Sequence, residues 1–253
     1  MRPSTLHNSG IFRPHALLTT LVIVATLVIA PLVNSLQAQL RGGGNRPARS
    51  GGSSRFWFSG GASAVGLGTI SDGPSGSVWD FTGDPLWLLR GSLEKSMGPG
   101  TTIGIAGSYG KVDFGYRPLA GVAAPDPIPG DTSRAQACRV EGCTGQTEVW
   151  GAHGVLRGGG DSEGLHQIVE VAAGAMSFRN LTVKANGESL GIDNTIDVGA
   201  SLGYGFGYAF SRDFQVAFVQ DFGISWHRGD MLPDGTGRTY RTRNSRVTLR
   251  YGL

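Results

Sequence analysis

Asp221, Ser225 and His227 are the residue types of an acyl-transfer relay, and they share one face of an alternating segment at i, i+4 and i+6. Such a relay needs each partner within about 3 Å of the next. Same-face neighbours two apart on a strand are separated by roughly 7 Å, and residues six apart by about 20 Å. Ser225 and His227 meet only by leaning together, and Asp221 is out of reach along the strand. A relay within this segment is therefore not expected, while partners from neighbouring strands stay open. His166 and Glu170, at i and i+4, are also too far apart for a direct bond. His153, His166 and His227 are the three histidines beyond residue 38. Gly-Tyr-Gly-Phe-Gly-Tyr (203–208) lies inside an alternating segment with no helix behind it, so it is not a phosphate cradle. No enzymatic activity is expected.

Two further sets carry chemistry of other kinds. Cys138 and Cys143 stand in Cys-Arg-Val-Glu-Gly-Cys. In an exported chain this pair is most simply a local disulfide that pins a loop. A metal site needs more ligands, and no histidine or second cysteine pair flanks it. No metal and no cofactor are expected. Arg90, Glu94, Asp197, Asp221, Arg246 and Arg250 fall on the small or polar faces of alternating segments, and Glu148, His166 and Glu170 extend the set. Charges buried together must pair, so one reading is an internal salt-bridge network. The other is a narrow polar path for small solutes.

The elements that position these residues follow from composition and pattern. Glycine contributes 42 of 253 residues, more than double the usual share, and charged residues only 16%. Glycine costs about 1 kcal/mol relative to alanine inside a helix, so a helical bundle fits poorly. No glycine repeat of period three is present, which excludes collagen. A net charge of +3, from 22 basic and 19 acidic residues, is too balanced for a nucleic-acid partner.

Arg2 and Arg13 precede an uncharged apolar run, Ala16 to Val33, followed by Asn-Ser-Leu-Gln-Ala (34–38). This order reads as a secretory signal peptide cut after Ala38. An uncleaved anchor is the alternative, since about 18 apolar residues just span a bilayer. Residues 1–38 are thus the signal segment, and 39–54 a flexible basic linker rich in Gly, Ser and Arg. Residues 55–253 form the folded domain.

That domain alternates with period two. Between Thr195 and Phe210, Ile196, Val198, Ala200, Leu202, Tyr204, Phe206, Tyr208 and Phe210 face one way. The other face carries Thr195, Asp197, Ser201, Ala209 and four glycines, Gly199, Gly203, Gly205 and Gly207. From Phe214 the same rule runs to Trp226, interrupted at Gln220. Further strands are read at 55–66, 85–97, 101–116, 145–157, 165–179 and 239–253, with a bulge near Gly110. That makes eight. The connectors alternate in length: short after the second, fourth and sixth strands, and about 18, 28, 15 and 11 residues after the others, as in a transmembrane barrel.

This architecture resembles the small bacterial outer-membrane β-barrels of the OmpA, OmpX and OmpW kind, over residues 55 to 253. The resemblance implies an all-β fold, an eight-stranded antiparallel transmembrane up-and-down barrel, exported through the periplasm to the outer membrane. It implies outer-membrane lipid and the barrel assembly machinery as partners. Val247, Leu249, Tyr251 and Leu253 match the alternation of the family's C-terminal assembly signal, although the last residue is Leu where the family normally ends in an aromatic. Phe56, Trp57, Phe58, Tyr208, Phe210, Phe214 and Tyr251 fit an aromatic girdle at the short-turn end, and Tyr116, Trp150 and Trp226 one at the other. The leading function implied is a non-enzymatic envelope protein, structural or adhesion-like, with the disulfide-pinned loop 117–144 as its extracellular contact region. A narrow pore of the OmpW type is the alternative, and a lipid-modifying enzyme the weakest reading. A soluble calyx would show the same alternation turned inside out; the direction of Tyr204 and Phe206 decides between them.

Overall fold

The computed structural model describes residues 55–119, 133–159, 163–227 and 239–253. The signal segment, the 39–54 linker and the middle of the 117–144 loop lie outside these residues. Strict alternation favours extended backbone, because each face of a strand then meets its own environment. Among the described residues the chain forms β1 (Phe56–Leu67), β2 (Thr69–Asp72), β3 (Ser77–Asp80), β4 (Leu86–Gly98), β5 (Thr101–Pro118), α1 (Arg134–Glu141), β6 (Cys143–Gly158), β7 (Gly164–Val183), β8 (Thr195–Ala209), β9 (Phe214–Trp226) and β10 (Thr239–Gly252).

Eight strands, β1 and β4 to β10, are the staves of a closed antiparallel barrel, with β1 pairing β10 on one side and β4 on the other. Closure leaves no unpaired edge among the staves, as a sheet in lipid requires. The short turns join β4 to β5, β6 to β7 and β8 to β9. Gly100 has φ 68°, the left-handed value a tight Pro-Gly turn needs. At the β8–β9 turn, the Ser211 hydroxyl accepts from the amides of Asp213 at 3.3 Å and Phe214 at 3.2 Å.

Tyr204 and Phe206 point outward, 48% and 47% exposed, as do Phe56, Phe58, Trp87, Leu89, Ile105, Trp150, Phe218, Phe222, Val247, Leu249 and Tyr251. Monomeric soluble proteins rarely expose an apolar belt of this extent. Gly203 lies on the inner face, where a Cβ would run into the Asp221 carboxylate. Small residues there leave room for a charge from the next strand.

Several expectations need correcting. No bulge lies at Gly110: β5 pairs with β6 without interruption from Thr101 to Tyr116. Gly110 is required because a Cβ would meet Leu88 Cδ2 and the Trp87 carbonyl. The register shifts fall instead at Ser96/Gly98 and Gln146/Glu148. Beside the second, Asn180 has φ 52°, and β7 runs on to Val183 with its inward phase reset from Phe178 to Leu181. Glu148 is half-buried on the outward phase of β6, between the inward Thr147 and Val149, and leaves the lumen set. Trp57 and Tyr116 turn inward, 7% and 4% exposed, and leave the girdles. The connector after β1, read as a loop, holds the hairpin β2–β3, whose second strand, β3, pairs with the end of β5.

The apolar core sits inside the barrel at its long-loop end. Ile70, Trp79 and Phe81, from the hairpin and the residue after it, pack against inward residues of the wall such as Leu88, Phe114, Val149 and Phe178.

Candidate functional site

The lumen is built in layers. Nearest the short turns, Trp57 from β1 lies between two guanidiniums, Arg55 at 4.9 Å and Arg250 at 4.8 Å from its ring. Stacking of this kind stabilises both partners. Above it, alternation on β4, β6, β7, β9 and β10 brings seven ionisable side chains together. Arg250 donates to Glu94 at 2.6 Å and to Gln215 at 3.1 Å. Arg157 lies 2.9 Å from Glu170 and 3.5 Å from Glu94. Arg246 lies 2.6 Å from Glu170 and 3.2 Å from Asp221. Arg90 reaches only Glu170, at 3.4 Å. Thr102 and Ser92 each donate to Glu94 at 2.7 Å. Guanidiniums suit this setting because their planar forks serve more than one carboxylate at once.

Beyond this network lies a cavity of about 70 Å³, bordered by Arg90, His153, Asp221 and Arg246 below and by Asp197 and Ser225 above. It has room for only a few water-sized occupants.

A second polar cluster borders the cavity from above. His227, one residue past β9, faces Asp197 Oδ1 through Nδ1 at 2.8 Å and Asp72 Oδ1 through Nε2 at 3.3 Å. The Tyr240 hydroxyl donates to Asp197 Oδ2 at 2.9 Å. Burial pushes the imidazole pKa down, but the two carboxylates outweigh it and raise the value to about 9. The ring is then an imidazolium at neutral pH, with both N–H groups donating. Asp72 belongs to the hairpin and Asp197 to the wall, so this histidine ties one to the other.

The last layer is aromatic. Trp79 is fully buried, with ring centroids of Phe178 at 5.9 Å, Phe114 at 6.2 Å and His227 at 5.3 Å. Its indole N–H donates to Ser77 Oγ at 2.8 Å. Ala135 and Cys138 of α1 pack on this layer, and a disulfide joins Cys138 to Cys143, the first residue of β6.

The sequence-derived residues are thus divided. Arg90, Glu94, Asp221, Arg246 and Arg250 meet in one network, and Asp197 stands apart in the other. Glu170 is at the centre of the first. His166 faces inward near the short-turn end, its Nδ1 at 3.2 Å from the Gly164 carbonyl, and is not among the network's ion pairs. Asp221, Ser225 and His227 do not form a relay: the imidazole is held by Asp197 and Asp72, and Asp221 by Arg246 and Asn244. Arg157 was missed, although Thr147, Val149, His153 and Val155 share its face and alternation would have found it. Asp72 and Trp79 had no signal, because their hairpin sits in a connector, whereas Tyr240 shares the phase of Arg246 and Arg250 on β10 and alternation would have found it. Val247, Leu249, Tyr251 and Leu253 all lie on the outer face, 51–70% exposed.

No family model matches this chain. No curated protein matches it. Several solved structures are similar to it, three of them as follows. One is Ail, the attachment invasion locus protein of Yersinia pestis, in complex with the heparin analogue sucrose octasulfate: 10% identity, covering 80% of this chain and 100% of that one, with a TM-score of 0.41. Another is Neisserial surface protein A: 8% identity, 78% and 96% covered, TM-score 0.42. The third is the N-terminal β-barrel domain of Pseudomonas aeruginosa OprF: 13% identity, 76% and 97% covered, TM-score 0.35.

Proposed function

We propose that this chain is a non-enzymatic outer-membrane barrel of the cell envelope, a closed scaffold that presents its long-loop end as a contact surface. The belt of outward aromatic and aliphatic side chains supports the membrane location, since a surface of this kind is stable in lipid and not in water. One observation carries the closed reading: the lumen is filled at two levels, by the Arg–Glu network and by the Trp79 layer. An open solute path needs a continuous column of water, and this favours the scaffold over the pore. Export with loss of residues 1–38 and delivery by the assembly machinery through Val247, Leu249, Tyr251 and Leu253 belong to the same proposal. So does the contact role of loop 117–144, whose helix α1 is fixed by the disulfide.

Planar-bilayer recording tests it. The refolded barrel is expected to be heat-modifiable on a gel, recovered with membranes, and without steady conductance. Recovery as a soluble protein overturns the location. A steady, concentration-dependent conductance overturns the closed scaffold in favour of the pore. Lipid turnover that disappears in His227→Gln would establish the enzyme reading instead.

A further inference from the structure

The outward face of β10 changes character along its length. Tyr251, Leu249 and Val247 are apolar and exposed, Ser245 follows, and then come two exposed guanidiniums, Arg243 and Arg241. The neighbouring stave stays apolar beside them: Arg243 stands opposite Phe222 and Arg241 opposite Ile224, both exposed. The Arg243 guanidinium lies 5.5 Å from the centroid of the Phe222 ring, which holds the charge against the wall. Three cations at the two rims have carboxylate partners: Arg55 pairs with Asp213, Lys184 with Asp113 at 2.7 Å and Arg212 with Glu163 at 4.0 Å. Arg241 and Arg243 have no ion pair among the described residues. On their other side β1 offers no obstruction. Gly66 stands opposite Arg243, an added Cβ at Gly68 would meet nothing within 4 Å, and Ala64, Ala62 and Gly60 continue the outward row towards the short turns. Larger side chains flank that row, Trp87 and Leu89 on β4 and Val247 and Leu249 on β10.

We propose that this wall is a lipid site: Arg241 and Arg243 hold the phosphate of one anionic lipid from the leaflet on the long-loop side, and an acyl chain of that lipid lies along the small row of β1. The site rests on the membrane location proposed above. A guanidinium beside apolar surface in a bilayer needs an anion to meet it, and at the membrane interface the lipid phosphate is within reach. Same-face residues two apart are separated by roughly 7 Å, a spacing from which two long side chains converge on one phosphate. Guanidinium forks match phosphate oxygens. The charge selects the headgroup, and the low row beneath it selects a molecule with a chain, which a free phosphate ion lacks.

The test is native mass spectrometry of the chain refolded in detergent and mixed with dimyristoyl phosphatidic acid or dimyristoyl phosphatidylcholine. One phosphatidic acid per barrel is expected to be retained in preference to phosphatidylcholine, by roughly fivefold for each guanidinium. The double variant Arg241→Gln, Arg243→Gln should abolish the preference. Lys95→Gln, which removes an exposed cation 6.0 Å over the Phe56 ring at the short-turn rim, should leave it intact. Inorganic phosphate in excess should not displace the lipid. Equal retention of the two lipids by the wild type overturns the proposal. So does a preference that survives in the double variant, one lost equally in Lys95→Gln, or displacement by inorganic phosphate. Should a variant fail to fold, the wild-type comparison of the two lipids decides. A heat-modifiable barrel with no preference sinks this site alone, whereas recovery as a soluble protein sinks the membrane location on which it rests.

Discussion

The short-turn half of the lumen is filled by charge, and the long-loop half by aromatic rings. Both halves are walled by the same staves, and both exclude bulk solvent. The first is a wall-to-wall network: its members come from β4, β6, β7, β9 and β10, and every stave that carries one is fixed to its neighbours by backbone pairing. The second draws on a further element, because Trp79 comes from the β2–β3 hairpin that pairs with the end of β5. Charge can fill a barrel from its own walls because long arginine side chains span the axis. In the long-loop half the wall rings Phe114 and Phe178 are joined by Trp79 of β3. The His227 cluster lies at the boundary and joins the two systems.

The comparison can be broken from either side. The largest effect is expected from Glu170→Gln, which leaves three arginines around an uncharged amide. Breaking a buried ion pair costs about 3–5 kcal/mol, and this carboxylate is shared, so the upper end of that range is expected in the urea midpoint of the detergent-refolded barrel. A change near zero would mean that the network is wet and screened. Trp79→Ala follows, at about 3 kcal/mol for an aromatic removed from a packed core. Its loss should be confined to the long-loop half, with hydrogen exchange rising at the inward residues of β3 and the ends of β5 and β7 while β9 and β10 near the short turns stay protected. Exchange that rises uniformly would sink the division into two halves.

The link between the halves has its own signature. The His227 pKa is raised to about 9 in the fold, against about 6.5 in an unfolded chain. The stability it contributes is complete below pH 6.5 and is lost as pH rises through 9. Between pH 7 and pH 10 this amounts to about 2 kcal/mol. Thermal unfolding across that window should show the decline in the wild type, and His227→Gln should remove this component. The smallest effect is expected from the disulfide. It closes a loop of separation 5, so its reduction costs roughly 2 kcal/mol at most. The change should appear in exchange of α1 and the start of β6, with the short-turn half unmoved.

The wall of the barrel was legible residue by residue. Each same-face row of β8, β9 and β10 is written in consecutive sequence, so Asp197, Asp221, Arg246 and Arg250 could be placed inward without a structure. Arg157 was equally legible, and only the absence of a face assignment for β6 hid it. Glu148 and Tyr116 failed for opposite reasons. Glu148 shares its phase with the outward Trp150, so its charge was a poor guide to its side. Tyr116 continues an unbroken inward row through Val112 and Phe114, which the expected bulge at Gly110 concealed. Of the two partners of His227, Asp72 was not legible at all, since it lies 155 positions away.

Period-two alternation, the small inner face and the ordering of short and long connectors by themselves determined that the chain closes into an eight-staved barrel, because those features are set by backbone pleat and local turn chemistry. They did not determine how the lumen is filled. Which carboxylate serves which guanidinium depends on shear between staves. Which rings occupy the axis depends on how the β2–β3 hairpin pairs with the end of β5. Both are contacts between residues far apart in the chain, and only the tertiary structure decides them.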